Sequence, residues 1–129
     1  MAVMASAKVV DASAVAAMLF GEPEAADVAR RLDGCQLVAS PLLEFELGNV
    51  CLTKLCRHPD QRDKVLAGYR WRSRLAIACG TIDPEQVLSL AEQARLTFYD
   101  ASYLWLAHQL DAELVTLDRR LAAAAEMSR

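Results

Sequence analysis

The stretch Lys8-Val9-Val10-Asp11-Ala12-Ser13 contains the change from a strand to a helix that decides the fold. Its apolar run predicts a buried strand, and after Asp11 the spacing of apolar residues becomes helical through Ala14–Phe20. Three further short apolar runs predict strands at Gln36–Ala39, Ile77–Thr81 and Glu113–Thr116. Strands that alternate with helices indicate a parallel sheet covered on both faces. We therefore predict a three-layer α/β/α fold around a short central parallel sheet of about four strands.

Turn residues and helix caps set the limits of the predicted helices. Pro23 suits the first turn of a helix that ends before Gly34, and Ser40-Pro41 supplies the N-cap and first residue of the next helix. Asp83 and Gln86 occupy the cap and third positions of another helix. The predicted helices after the first span residues 23–32, 41–57, 60–75, 84–95 and 97–110, and a last one begins at Asp118. No repeat or linker interrupts residues 1–129, which we expect to form a single domain.

Composition limits the class of protein. With 129 residues, of which 54% are hydrophobic, the chain has room for one core and lacks the long polar tracts of a disordered protein. No stretch approaches the roughly 18–20 apolar residues that span a bilayer. Asp11 follows Lys8 too closely for the apolar region of a signal peptide. We expect a cytoplasmic protein without a membrane partner. Its cysteines form no C-x-x-C pair and are expected to be buried free thiols.

Charge is unevenly distributed along the chain, whose formal net charge is −3. Residues 51–80, the basic segment, carry seven bases and two acids, whereas the residues on both sides are acidic. Because lysine and arginine neutralise phosphates, the basic segment is a candidate surface for RNA. Its candidate contacts are Arg57, Arg70, Arg72 and Arg74. An ordinary solvated surface is an equally good interpretation. Tyr69 and Trp71 can stack bases, but packing in the core or against a partner fits them better.

Three aspartates lie next to predicted strand ends or helix starts. Asp11 and Asp118 directly follow the first and last predicted strands, at the strand ends where ligands gather in open parallel sheets. Asp100 lies in the first turn of the helix that begins near Thr97. Each also has a structural interpretation of similar weight. Asp11 and Asp118 are good helix caps, and Asp100 is a good acidic member of a capping box with Thr97.

Glu46 lies on the apolar face of its predicted helix. It is four residues from both Leu42 and Val50, so its carboxylate is predicted to face inward, and Asn49 follows on the same face. Glu44 is about 200° away around the helix and is predicted to be solvated. An inward charge needs a partner, because a buried lone charge costs several kcal/mol. A salt bridge to an arginine at the edge of the core is the structural alternative.

A bound cation is the simplest way to accommodate all four acids together. Carboxylates that converge at one edge of a sheet repel one another and raise one another's pKa unless a cation neutralises them. Oxygen ligands without a histidine or cysteine cluster select a hard ion, Mg²⁺ or Mn²⁺. Such ions orient phosphates and activate water in phosphodiester hydrolysis. The candidate ligands are Asp11, Glu46, Asp100 and Asp118.

Four segments together resemble the PIN-domain ribonucleases, and most closely the VapC-like toxins of bacterial toxin–antitoxin pairs. They follow the family's order, each contains one of the four acids, and the resemblance covers nearly the whole chain. The segments are Val9-Val10-Asp11-Ala12-Ser13, Pro41-Leu42-Leu43-Glu44-Phe45-Glu46-Leu47-Gly48-Asn49-Val50, Tyr99-Asp100-Ala101-Ser102-Tyr103 and Leu114-Val115-Thr116-Leu117-Asp118.

The resemblance implies a metal-dependent endoribonuclease that hydrolyses RNA phosphodiester bonds as the toxin of a toxin–antitoxin pair. Asp11, Asp100 and Asp118 would hold Mg²⁺ or Mn²⁺, with Glu46 as a further ligand or as the base that orients water. The family's supporting polar positions correspond to Ser13, Asn49 and Thr116. The resemblance also implies a homodimer and a cognate antitoxin protein. An apolar groove for the antitoxin is predicted at Val15–Phe20 and Val28–Leu32.

Two other classes of function compete with this interpretation. The nearer one is a PIN-type module that binds RNA or protein with little or no nuclease activity, which the presence of all four acids disfavours. The other is a signalling receiver domain, which is also a small α/β fold with an acidic pocket. Receivers place a lysine after a late strand, whereas the only lysines here are Lys8, Lys54 and Lys64. A cleavage assay with Mg²⁺ or Mn²⁺ against EDTA distinguishes a nuclease from a binding module.

Overall fold

Four parallel strands form the centre of the molecule, for which a computed structural model describes residues 6–128. The strands stand in the order β3-β2-β1-β4, and every neighbouring pair is parallel. Val9 of β1 lies opposite Val38 of β2 on one side and Leu114 of β4 on the other. The predicted α/β fold with a four-stranded parallel sheet is therefore confirmed. The strands are β1 (Ala7–Val10), β2 (Gln36–Ala39), β3 (Ile77–Cys79) and β4 (Glu113–Val115).

Helices flank this sheet and connect its strands. In the part of the chain that the structure describes, the helices are α1 (Ala12–Leu19), α2 (Ala25–Leu32), α3 (Leu43–Arg57), α4 (Arg62–Arg70), α5 (Pro84–Ala94), α6 (Phe98–Leu110) and α7 (Arg119–Met127). Helix α6 packs on β1 and β4, and α5 and α7 pack on α6. Helix α1 packs on α2 and α3, and α3 packs on α4. This arrangement leaves the carboxyl ends of β1 and β4 next to the N-termini of α1 and α7.

The first residues of α5 and α6 match the sequence predictions, whereas those of α2 and α3 differ from them. The Asp83 carboxylate caps α5 by accepting hydrogen bonds from the backbone amides of its second and third residues. Pro23 lies in a turn, and α2 begins only at Ala25. The Ser40 hydroxyl accepts from the amide of Leu42, so it caps a turn that precedes α3 rather than the helix itself. In both cases the chain makes one extra turn before the helix.

The predicted helix over residues 60–75 is divided into three pieces. A 3₁₀ turn at Pro59–Gln61 precedes α4, and a second one at Trp71–Arg74 follows it. The break after Arg70 has a local cause, because the side chain of Arg72 donates to the carbonyl of Tyr69 and that of Ser73 donates to the carbonyl of Arg70. Carbonyls at a helix end that bond to side chains no longer need the next helical turn.

The core lies between the sheet and helices α1 and α6. Val9, Val10, Val15 and Tyr103 have no exposed surface. Burial of apolar side chains at about 25 cal/mol per Å² is the main force that holds these layers together. The four cysteines are free, as predicted, but only Cys51 is buried, whereas Cys35 is half-buried and Cys56 and Cys79 are exposed. Over residues 6–128, no helix is both long enough and apolar enough to cross a membrane.

Candidate active site

Asp11 is the buried centre of a hydrogen-bond network at the carboxyl end of β1. Its side chain is 3% exposed. One carboxylate oxygen accepts from the Ser13 hydroxyl at 2.8 Å and from the Ala14 amide at 3.1 Å, and the other accepts from the Thr116 hydroxyl at 2.6 Å. The bond to Ala14 caps α1, so the structural interpretation of Asp11 holds. A carboxylate has about four acceptor positions, so capping leaves capacity for a further ligand.

Two hydroxyl groups tie the ends of β1 and β4 together. The Thr116 oxygen accepts from the amide of Asp118 at 3.0 Å and lies 3.3 Å from the Ser13 oxygen. The Ser13 oxygen accepts from the amide of Leu117 at 2.9 Å. The structure thus brings Ser13 and Thr116, two of the predicted supporting residues, into contact with the first acid and with the backbone of the last one. Asp118 itself caps α7 by accepting from the amide of Leu121 at 2.9 Å.

Glu46 reaches the same edge of the sheet from α3. Its side chain is half-buried and accepts a hydrogen bond from the Tyr103 hydroxyl at 2.7 Å. Among the described residues no arginine pairs with Glu46, so the alternative of a salt bridge at the edge of the core is wrong. Glu44 is exposed, as predicted, and pairs with Arg72 at 3.2 Å. The two glutamates therefore have separate roles although only one residue stands between them.

Asn49 departs from the prediction. It is exposed, and its side chain makes no hydrogen bond to any residue within the described range of 6–128. The buried stripe of α3 consists of Leu43, Leu47 and Cys51. Asn49 lies about 160° from the centre of that stripe at 100° per residue, which explains its exposure. It is therefore not an inward-facing partner of Glu46 as the sequence suggested.

Tyr103 is the site residue whose role the sequence did not reveal. It is fully buried in α6, three residues after Asp100, and it donates to Glu46 from 57 positions away in the chain. Burial and the neighbouring carboxylates raise the pKa of its hydroxyl far above 10, so it remains a proton donor. The feature of the sequence that could have identified Tyr103 is its position one helical turn after Asp100, on the face that the apolar residues of α6 share.

The electrostatics show that the four acids are close enough to interact. We call Asp11, Glu46, Asp100 and Asp118 the acid edge. Burial raises the pKa of Asp11, hydrogen bonds from Thr116, Ser13 and Ala14 oppose the rise, and the charge of Asp118 adds to it. Burial also raises the pKa of Glu46, against its bond from Tyr103, and the charges of Asp100 and Asp11 raise it further.

Asp100 completes this set from the first turn of α6. Its amide donates to the Thr97 hydroxyl, so Thr97 caps the helix as predicted. Burial raises the pKa of the Asp100 carboxyl, and the charges of Asp118 and Asp11 raise it further, while Thr97 and Arg120 act in the opposite direction. Four carboxylates from four separate parts of the chain thus share one electrostatic environment, as expected from like charges brought together.

The donor set fits a hard divalent cation. Within residues 6–128, no lysine, arginine or histidine forms an ion pair with any member of the acid edge. In the same range, no three acid, histidine or cysteine side chains converge closely enough to enclose an ion by themselves. Mg²⁺ usually keeps several waters and takes only one or two carboxylates, so an open acidic edge suits it better than a closed cage.

The basic segment has a different character from the acid edge. The Arg72 guanidinium is half-buried, pairs with Glu44 and stacks on the Tyr69 ring at 3.9 Å. Arg74 lies over the Trp71 ring at 4.9 Å. Arg70 and Arg74 border the same shallow cavity on the surface, and Arg57 is exposed. Of the four predicted RNA contacts, Arg72 is therefore the one whose charge is both paired with an acid and stacked on a ring.

The predicted apolar groove is present only in part. The end of the first predicted stretch, Met18, Leu19 and Phe20, lines a cavity of about 610 Å³ together with Lys54, Val65 and Trp71. Val15 and Val28 are fully buried in the core and Leu32 nearly so, and these residues do not line that cavity. The helical period had placed the apolar faces of α1 and α2 correctly, but these faces pack on each other and on the sheet.

Fold and site together define an α/β protein with an acidic site at the carboxyl edge of a parallel sheet. The chain belongs to the PIN-domain family, whose model matches residues 8–127. The crystal structure of PAE2754 from Pyrobaculum aerophilum is similar, with a TM-score of 0.75 and 25% sequence identity over 98% of this chain and 95% of that one. No curated protein matches the sequence. The PIN fold is generally a nuclease fold, typically dependent on divalent metal ions.

Proposed function

We propose that this protein is a metal-dependent endoribonuclease that hydrolyses RNA phosphodiester bonds. The observation that carries the proposal is the acid edge. Burial raises the pKa of Asp11, Glu46 and Asp100 there, the charges of neighbouring acids raise it further, and no basic side chain among residues 6–128 forms an ion pair with the four carboxylates. Such a cluster is costly unless it binds a cation, and perturbed carboxylates gathered in this way are typical of catalytic sites.

Each residue at the acid edge has its own role in this proposal. Asp11, Asp100 and Asp118 would hold Mg²⁺ or Mn²⁺, one or two of them directly and the rest through waters that the ion keeps. Asp11 presents the best-fixed oxygens because three hydrogen bonds hold its carboxylate. Glu46 would orient the attacking water or complete the ligand set, with Tyr103 holding its carboxylate in place. The bound ion supplies neutralisation of phosphate charge and a more acidic water. Ser13 and Thr116 fix the orientation of the acids, as outer partners of metal ligands commonly do.

The preference for RNA rests on the resemblance to PIN-domain ribonucleases, because attack by water requires no 2′-hydroxyl. Arg57, Arg70 and Arg74 are the exposed bases that would contact the RNA backbone. We also propose the finer assignment to the VapC-like toxins, acting in the cytoplasm as a homodimer with a cognate antitoxin. The cavity of about 610 Å³ beside Phe20 and Trp71 is the surface that we propose for a helical segment of such a partner.

Cleavage of RNA tests the enzymatic proposal. Purified protein is incubated with total RNA in Mg²⁺, Mn²⁺ or EDTA, and the ends of the products are mapped. We expect cleavage with either ion and none with EDTA, and loss of cleavage in Asp11→Asn and Asp100→Asn. Asp83→Asn is the matched control, because Asp83 also caps a helix but lies outside the acid edge. Equal cleavage by Asp100→Asn and Asp83→Asn would contradict the assignment, and RNA binding without cleavage would favour the binding module.

The toxin assignment needs a separate test. Expression of the wild-type chain in a bacterial host is expected to arrest growth, and expression of Asp100→Asn at the same level is not. Unimpaired growth at a level where the purified protein cleaves RNA would contradict the toxin role and leave the nuclease assignment in place. Sedimentation of the purified protein tests the proposed homodimer.

A further inference from the structure

A small cavity opens directly beside the acid edge. It has a volume of about 280 Å³ and is lined by Phe45, Glu46, Asn49, Val50 and Tyr99. Two of its walls are aromatic rings from separate helices, and both rings are exposed, Phe45 to 72% and Tyr99 to 48%. Exposed aromatic rings that border one cavity are unusual in a chain whose other apolar side chains mostly pack inside, and they mark a binding surface. We call this cavity the aromatic pocket.

We propose that the aromatic pocket binds one unpaired nucleobase of the RNA substrate, stacked on Phe45 and Tyr99, next to the phosphate that lies at the acid edge. This inference rests on the proposed ribonuclease function. Phe45 precedes Glu46 in α3, and Tyr99 precedes Asp100 in α6, so each ring is fixed next to one of the acids. A phosphate held at the acids therefore places an adjoining nucleotide within reach of both rings.

The chemistry of the pocket matches a base better than an apolar peptide side chain. Aromatic rings stack on the face of any base, and an amide side chain can donate and accept hydrogen bonds at the base edge. Asn49 supplies such an amide, exposed at the pocket wall and without a hydrogen bond inside the described part of the chain. The volume of the pocket is below the roughly 300–1,000 Å³ of drug-sized ligand sites, which suits a single planar ring.

The other aromatic residues near the basic segment are less suited to this task. The ring of Tyr69 is covered by Arg72 at 3.9 Å, and the ring of Trp71 is covered on one face by Arg74 at 4.9 Å. Within the described residues, no lysine or arginine lies over the ring of Phe45 or Tyr99. The aromatic pocket is thus the surface where ring faces stay free beside the proposed site of cleavage.

Binding of RNA without cleavage tests the proposal. The probe is a mixed-sequence single-stranded RNA, titrated in EDTA so that no hydrolysis occurs, and affinity is followed by fluorescence anisotropy. Phe45→Ala and Tyr99→Ala are expected to weaken affinity by about 5- to 150-fold each, the range for loss of stacking on one base. Leu52→Ala is the matched control, because Leu52 is an exposed apolar residue of the same helix, outside the pocket. Its affinity is expected to equal that of the wild type.

A second variant reports on the stacking itself. Phe45→Trp is expected to keep wild-type affinity and to lose more fluorescence as RNA binds than the wild type, whose Trp71 and Trp105 also emit. Leu52→Trp is expected to lose no more than the wild type. Wild-type affinity in both alanine variants, each folded by circular dichroism, would overturn the base pocket while cleavage by the wild type left the nuclease assignment intact. A loss of dimer in Phe45→Ala without loss of RNA affinity would assign the pocket to a protein interface. Failure of the wild type to bind RNA with Mg²⁺ as well as in EDTA would overturn both proposals, and binding without cleavage would overturn the nuclease and leave the pocket as a site of an RNA-binding module.

Discussion

Asp11 at the acid edge receives hydrogen bonds only from neutral groups, whereas Arg72 in the basic segment pairs with Glu44 and stacks on Tyr69. The chain thus neutralises a charge of the basic segment with its own residues, whereas the acids of the edge form no ion pair among residues 6–128 and only the charge of Arg120 opposes the raised pKa of Asp100. Structural charges in proteins are usually paired. The contrast indicates that the acid edge is built for a cation from solution, and that Arg72 mainly stabilises the fold.

Glu46 and Glu44 allow the most direct test of this comparison, because they lie only two residues apart. Glu46 belongs to the acid edge, whereas Glu44 pairs with Arg72 of the basic segment. Glu46→Gln is expected to lower the rate of RNA cleavage by about 10²- to 10⁴-fold, the contribution of a positioned general base. Glu44→Gln is expected to leave the rate unchanged and to lower the free energy of unfolding by about 0.2–1 kcal/mol, because its exposed pair with Arg72 is removed. Single-turnover cleavage and urea unfolding measure both, and equal loss of activity in the two variants would contradict the distinction.

Thr116 tests whether the hydroxyls of the acid edge position the acids. Thr116→Val removes the donor to Asp11 and the acceptor for the amide of Asp118 while keeping the shape of the side chain. We expect cleavage to fall by about 10- to 100-fold, as for other partners that hold metal ligands. Thr116→Ser retains the hydroxyl and is expected to restore most of the activity. A Thr116→Val protein that is folded and fully active would show that this network is only structural.

We expect the arginines of the basic segment to differ in role according to their surroundings in the structure. Arg70→Ala and Arg74→Ala should weaken RNA affinity several-fold, and each should make the slope of log affinity against log salt shallower by about 0.7, the value for one phosphate of a single strand. Arg72→Ala should instead lower the free energy of unfolding by about 1 kcal/mol, because it removes the interactions with Glu44 and Tyr69. RNA titrations at several salt concentrations measure these affinities and their dependence on salt. A decrease in affinity that is larger in Arg72→Ala than in the other two would reverse the assignment.

The smallest effect concerns stability as a function of pH without divalent ions. Asp11 has a pKa above its ordinary value of 3.8 in the folded protein. Its contribution to stability is therefore most favourable below pH 3.8 and is lost as the pH rises through the higher folded pKa. Relative to wild type, Asp11→Asn should gain stability as pH rises above 4, with a plateau once the pH passes the folded pKa. Urea unfolding in EDTA from pH 4 to 8 measures this, and Asp83→Asn should show no such trend.

Local signals in the sequence predicted most of the fold. The strands follow from short apolar runs, and the caps at Asp83, Thr97 and Asp118 follow from side chains that bond to amides two or three residues later. The break of the predicted helix at Arg70 was not predictable in this way, because it depends on side chains that turn back to bond their own backbone. Propensity scales do not contain such bonds.

The candidate site was predictable to the extent that it depends on topology. Parallel strands end at one edge, so Asp11 and Asp118 had to lie near each other. The protein partner of Glu46 was not predictable, because Tyr103 reaches it across 57 positions of the chain and the sequence suggested only a bound cation or an arginine. Asn49 was placed wrongly since a residue three positions along a helix is rotated by about 60°, enough to bring it to solvent.

Titration calorimetry with Mn²⁺ is the most direct test of the central claim that the acid edge takes its counterion from solution. Carboxyls with raised pKa release protons when a cation binds, so the heat should depend on the ionisation heat of the buffer. We predict saturable binding in the wild type, with proton release that increases as the pH is lowered, and loss of this binding in the double variant Asp11→Asn with Asp100→Asn. The same binding in that double variant, or none in the wild type, would contradict the claim.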